Sequence, residues 1–247
     1  MDQWEKLATT DLATILRESN ISVNSQPAPE LISRKPPFSR KELQGDFKKW
    51  YITFFFVLVE SVLNLVLVLG NISLTQGLYN SVRCVFFLPS LINMVLTWVL
   101  LYKYWEVVQD GNASTSPAKA IGFMFIPFFN FYWVFRAYWR LSKDINRYIT
   151  TVRGKVKRQF TPSNEKLTLS YAVLFLVSYS YSVMIVLVKF IVTKSSTFTL
   201  YYGKQPFPTW LSIIGQILIL VWFVIEGLVY IDLYRATNSI LQVQEIE

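Results

Sequence analysis

The sequence predicts an all-α fold, a polytopic membrane helix bundle, and three observations carry that prediction. Four apolar runs have the length of a bilayer crossing. Basic residues crowd some loops and avoid others. An aromatic stretch is broken by a proline before it can cross. Of the 247 residues 53% are hydrophobic and only 16% charged, a balance that a soluble domain of this length rarely reaches.

Residues 1–50 read as a cytoplasmic N-terminal arm. Trp4, Leu7, Leu12, Ile15 and Leu16 suggest a short amphipathic helix ending near Asn20, and "NISVNSQPAPELISRKPPFSR" reads as an extended linker. The first twenty residues lack a basic segment followed by an apolar one, so no cleavable signal peptide is expected and the first span acts as its own insertion signal. The transmembrane domain then covers 51–247, with spans at 51–69, 84–102, 167–192 and 210–230. Each is near or above the roughly 20 residues that cross a hydrocarbon core about 30 Å thick. In lipid each must be helical, because no water satisfies exposed backbone groups.

The stretch "IGFMFIPFFNFYWVFRAYWRL" decides the topology. If residues 120–135 cross, five helices divide the 24 Lys and Arg 13 to 11 between the two sides; if they do not, four helices divide them 20 to 4. Cytoplasmic loops favour Lys and Arg, so four spans with both termini cytoplasmic are expected, and five transmembrane helices are the alternative. Ala120 to Phe135 would make a helix of only ~24 Å at ~1.5 Å per residue. Pro127 also disfavours a helical Ile126. The predicted path is a shallow dip over Ala120–Ile126, a turn at Pro127 and an amphipathic helix along the interface, together a re-entrant or interfacial segment at 120–152. On that helix Arg136, Arg140, Lys143 and Arg147 form one basic stripe. Opposite them Phe131, Val134, Tyr138, Leu141, Ile145, Tyr148 and Val152 form an apolar face, the pattern of a helix lying among headgroups. The stripe suits anionic lipid headgroups, each near-surface cation contributing about 1 kcal/mol; the plainer reading is that it only sets orientation.

Glu60 is the most informative single residue. An acid at the centre of a span costs about 2.5–3.5 kcal/mol on insertion scales, so it should face the protein interior. Asn64 shares its face one turn on. Asn93, Gln216 and Glu226 are the matching polar positions in other spans. Ser212, Gly215, Gln216, Glu226 and Tyr230 form one seam, and Tyr171, Ser178 and Ser182 another, placed to pack together and enclose Glu60. The functional reading is an ion or proton site; the structural one is interhelical hydrogen bonding. Cys84, the single cysteine, reads as a buried structural thiol. Histidine is absent, and no phosphate loop, nucleophile elbow or metal-ligand motif occurs. No enzyme, cofactor or metal is therefore expected. Nucleic-acid binding is not expected either, since the positive charge lies against the membrane.

Pro117, Lys119, Ala120, Gly122, Phe125, Ile126, Pro127, Phe128, Phe129, Asn130, Tyr132, Trp133 and Phe135 spell P-x-K-A-x-G-x-x-F-I-P-F-F-N-x-Y-W-x-F. The run resembles a signature of uncharacterised bacterial multi-pass membrane proteins, in which it joins transmembrane helices. The resemblance covers about an eighth of the chain. It implies a bacterial inner-membrane home and transfers no activity. Pro127 and Asn130 are assigned a structural role, Asn130 satisfying backbone groups that the proline frees. The expected function is interaction, as a scaffold for a membrane assembly with a membrane-protein partner or as a sensor of anionic lipid. The alternative is a small transporter or channel that uses Glu60.

Overall fold

A computed structural model describes residues 36–70, 76–153, 159–194 and 209–245. Helix α1 (Arg40–Leu69) starts at Ser39, whose Oγ accepts the Glu42 amide at 3.2 Å and so satisfies one of the free donors of the first turn. Helix α2 (Gln76–Val107) carries Pro89 in its interior. Helix α3 (Pro117–Gly122) has proline at its first position, where no amide is missed. A 3-10 turn (Phe123–Phe125) leads to Pro127, and helix α4 (Phe129–Val134), a widened π turn (Phe135–Trp139) and helix α5 (Arg140–Arg153) follow in succession. Helix α6 (Glu165–Lys194) is capped by Asn164, whose Oδ1 accepts the amides of Lys166 and Leu167 at 3.1 and 3.2 Å. Helix α7 (Thr209–Gln244) completes the bundle. Four of these, α1, α2, α6 and α7, are long and apolar enough to cross a membrane.

Helix α1 packs against α2 and α7, and α6 packs against α7. Glycine permits the closest approaches: a Cβ at Gly227 would stand 2.8 Å from the Phe54 ring, and one at Gly215 would stand 2.9 Å from the Tyr181 ring. The proline-broken segment closes the ring, with α3 against α2 and the π turn against α6.

That segment turns back. Phe128 has φ 62°, and the Phe129 amide donates to the Pro127 carbonyl at 2.7 Å, the three-residue bond of a γ-turn. The amide of Asn130 then donates to the Ile126 carbonyl at 3.1 Å. Trp133 Nε1 donates across to the Ala120 carbonyl at 2.9 Å, joining the two legs, and Trp105 Nε1 donates to the Ala137 carbonyl at 3.0 Å, fixing the returning leg to α2. The irregular backbone thus finds its partners within the protein, the condition for non-helical chain at membrane depth.

The hairpin reaches far along its neighbours. Phe125 packs on Trp98 at 4.6 Å and Phe131 on Tyr179 at 4.9 Å. Tyr179 lies fourteen residues into α6, ~21 Å along it at ~1.5 Å per residue. The tip therefore packs beside the middle of α6. The apolar face assigned to headgroups is also corrected: Val134, Tyr138, Leu141, Ile145, Tyr148 and Val152 are buried in the protein core. The bundle, rather than lipid, covers that face.

One end of the bundle, here called the base, gathers the polar contacts. The Arg40 amide donates to Glu245 Oε1 at 3.2 Å, and Arg40 Nε to Asn238 Oδ1 at 2.8 Å. Lys103 Nζ bridges Glu42 and Asp46, the latter at 2.7 Å. Asp232 accepts Ser163 Oγ and the Asn164 amide, both at 2.8 Å. The start of α1, the end of α2, the start of α6 and the end of α7 therefore meet at one end, as four crossings require and five forbid. The packed core lies there too, around Leu100, Leu101, Tyr104, Trp105, Leu233 and Ile240. The other half exposes apolar residues such as Phe55, Val85, Phe87 and Val186, the surface a bilayer would cover.

Two further expectations change. Arg40–Trp50 belong to the bundle, not to an arm ending at 50, because Leu43 and Trp50 are fully buried; the compact unit begins at Pro36. The helix expected before Asn20 lies outside the described residues. Cys84 is exposed rather than buried, since it sits on α2 away from the base core.

Positive φ at a non-glycine residue costs about 1–3 kcal/mol, and Phe128 is 84% exposed, so its ring adds little packing. Phe128→Gly is expected to raise stability by about 1 kcal/mol after glycine's own entropic penalty of about 0.5–1 kcal/mol. Phe128→Val should lower it, because β-branched residues tolerate this backbone worst. Thermal unfolding in detergent, followed by circular dichroism, checks the opposite signs.

Candidate functional site

A cavity of about 550 Å³ lies beside the base core, walled by α1, α2, the proline-broken hairpin, α6 and α7. Glu60, Asn64, Asn93, Gln216 and Glu226 all line it, so the five polar positions read from the sequence converge on one chamber. Helical spacing explains this. Val57, Glu60, Ser61 and Asn64 recur on one face of α1, and Gln216, Ile219, Phe223 and Glu226 recur on one face of α7.

Glu60 Oε2 accepts Ser90 Oγ at 3.2 Å, while Asn64 Nδ2 donates to the Glu60 backbone carbonyl at 2.9 Å. Asn93 Oδ1 accepts Thr53 Oγ1 at 3.2 Å. Glu226 is 5% exposed and faces the same space from α7. Among the described residues the wall carries no Lys or Arg. Among the described residues no group of acidic residues and cysteine could hold a metal ion.

Asn130 has a different part from the one expected. Its backbone amide, not its side chain, completes the turn after Pro127, and its side-chain Oδ1 is buried without a partner at the cavity wall. Ser61 Oγ and Trp222 Nε1 are also buried, unpaired and on that wall. A buried polar atom without a partner costs about 1–3 kcal/mol, so this wall is not matched for stability alone.

The cavity is closed toward the base by a hydrogen-bonded aromatic floor. Tyr138 and Tyr230 share a hydroxyl–hydroxyl bond of 2.9 Å, and Tyr230 Oη donates to the Thr97 carbonyl at 3.1 Å. Trp50 Nε1 donates to Thr97 Oγ1 at 3.0 Å and its ring stacks on Tyr230 at 4.8 Å. Sequence periodicity placed Tyr138 on an apolar face and Tyr230 in a seam without disclosing that their hydroxyls meet. Ser90 was missed for want of periodicity; its position after Pro89 was the available signal.

The basic stripe does not act as one unit. Arg147 pairs with Asp110 at 3.2 Å and Asp144 at 3.4 Å and also donates to the Asn112 carbonyl. Arg136 has a buried, unpartnered Nε and lies over Trp133, and Lys143 lies 3.8 Å over the Trp139 ring. Arg140 is exposed. Comparison with family profiles, curated proteins and solved structures gives no match.

Tyr138→Phe removes one buried bond while Tyr230 keeps Thr97, so a loss of about 0.5–1.5 kcal/mol is expected. Thermal unfolding in detergent should register that loss as a lower midpoint in Tyr138→Phe than in the wild type.

Proposed function

We propose that the protein is a small, non-enzymatic membrane transporter whose cation or proton site is the cavity of Glu60 and Glu226. The observation that carries this reading is that two carboxylates and the amide residues Asn64, Asn93, Asn130 and Gln216 line one chamber, with no basic residue on its wall among the described residues. Interhelical hydrogen bonding alone would draw such groups onto one another. Among the described residues Glu60 has a single hydroxyl donor, from Ser90, and three other wall atoms have no partner. Acids inside a bundle mark ion paths and proton relays. The tyrosine floor closes the base side, which favours alternating exposure of a fixed site over an open pore.

The 20-to-4 division of Lys and Arg supports a cytoplasmic base, with both termini on that side. The signature around Pro127 supports a bacterial inner membrane. A second reading, a lipid-sensing or scaffolding role, has its own observation: among the described residues Arg140 and Lys143 form no ion pair with a carboxylate. They remain available to anionic headgroups or to a membrane-protein partner at the base.

Proteoliposomes loaded with a pH-sensitive dye test the transporter reading. Wild-type protein should collapse an imposed proton or cation gradient. Glu60→Gln should slow that collapse at least tenfold, and Glu226→Gln should slow it as well. Equal rates in wild type, both variants and empty vesicles would sink transport. Copurification with a larger complex would then favour the scaffold.

A further inference from the structure

We propose that the cavity takes an organic cation with an apolar body, such as a substituted ammonium or phosphonium, and that this ligand arrives sideways from the bilayer. The proposal rests on the transporter reading and names its substrate class. Charge gives the sign, since among the described residues the wall holds Glu60 and Glu226 and no Lys or Arg. Aromatic rings give the body. Trp98, Tyr138, Tyr171, Phe175, Trp222 and Phe223 surround the two acids, and ring faces attract a poorly hydrated cation while accommodating its hydrocarbon.

Size separates this ligand from a bare metal ion. Calcium and magnesium need six or more oxygens at short fixed distances. The chamber is about 550 Å³, a volume that suits a drug-sized molecule. Ser61 and the amide residues Asn64, Asn93, Asn130 and Gln216 line the same space and give the wall its polar share.

The route comes from a second crevice, about 180 Å³, between the hairpin tip and α6. It shares Met124, Phe125, Asn130 and Phe175 with the main cavity. Its outer rim is open and carries large side chains: Phe128 is 84% exposed, Ile126 45% and Tyr179 46%. A lipophilic cation dissolves in the adjacent bilayer and meets Asn130 as its first amide. The aromatic hairpin thus serves as the threshold of a lateral portal.

The test is equilibrium binding of radiolabelled tetraphenylphosphonium to the full chain in detergent, with folding of each variant checked by thermal unfolding. Saturable binding is expected, weakened at least tenfold by Glu60→Gln or Glu226→Gln and undiminished by a large excess of sodium chloride over the probe. Asn130→Asp, which adds a carboxylate at the threshold, should tighten binding several-fold and keeps the test decisive if a glutamate variant does not fold. Absence of saturable binding, or binding indifferent to both glutamates and to Asn130→Asp, overturns the proposal. If Glu60-dependent proton flux in proteoliposomes persists in that case, the transporter reading stands and only the substrate class fails. If flux is absent too, both fall.

Discussion

Everything in this bundle depends on satisfying a broken backbone inside the membrane. Pro127 cannot donate, and the γ-turn at Phe128 interrupts the helical ladder where lipid would offer no substitute. The protein provides the partners. Asn130 and Phe129 close the turn through their amides, and two indole N–H groups, from Trp133 and Trp105, hold the returning leg to its neighbours. The run of aromatic residues that looked like a span supplies the packing of a buried hairpin. Phe123, Phe129 and Trp133 interlock at 4.6 to 5.6 Å between ring centres.

Because the hairpin returns, the molecule divides into a rigid base and a chambered membrane half. At the base, ion pairs and hydrogen bonds tie Arg40, Lys103, Arg147 and Asp232 across elements distant in sequence. Beyond the tyrosine floor the helices enclose polar groups that would be costly in lipid and are only partly matched to one another. That incomplete matching is the physical basis for reading the chamber as a binding site. A bundle built only for stability would pair Asn130, Ser61 and Trp222 with protein or replace them with apolar side chains.

Much of this was legible before any coordinates. Hydropathy located the spans, although the helices run on past them, as α7 does beyond Tyr230, because the base core continues to bury Leu233, Ala236 and Ile240. The polar seams on α1 and α7 were legible because helical periodicity assigns residues to a shared face, and Glu60 on α1 lines the same cavity as Gln216 and Glu226 on α7. What covers a face is another matter. The apolar side from Val134 to Val152 has the same pattern whether lipid or protein lies against it, and here it is protein. Cys84 failed for the same reason in reverse. Arg147 resembled its neighbours in the basic stripe until folding brought Asp110 within 3.2 Å. Asn130 could be tied to the proline by adjacency, but whether its amide or its side chain did the work depends on a turn type that composition does not encode.

The central claim, that the proline-broken hairpin turns back within the membrane, is tested most directly by a disulfide across its two feet. Ser114 Oγ lies 2.5 Å from Asp144 Oδ2. In a Cys84→Ser background, a Ser114→Cys and Asp144→Cys pair should crosslink under mild oxidation in native membranes and shift on non-reducing gels after cleavage of the chain between the two positions. If residues 120–139 instead crossed the bilayer, the two thiols would lie on opposite surfaces. No crosslink would then form within one chain, and the hairpin, its floor and its portal would all have to be abandoned.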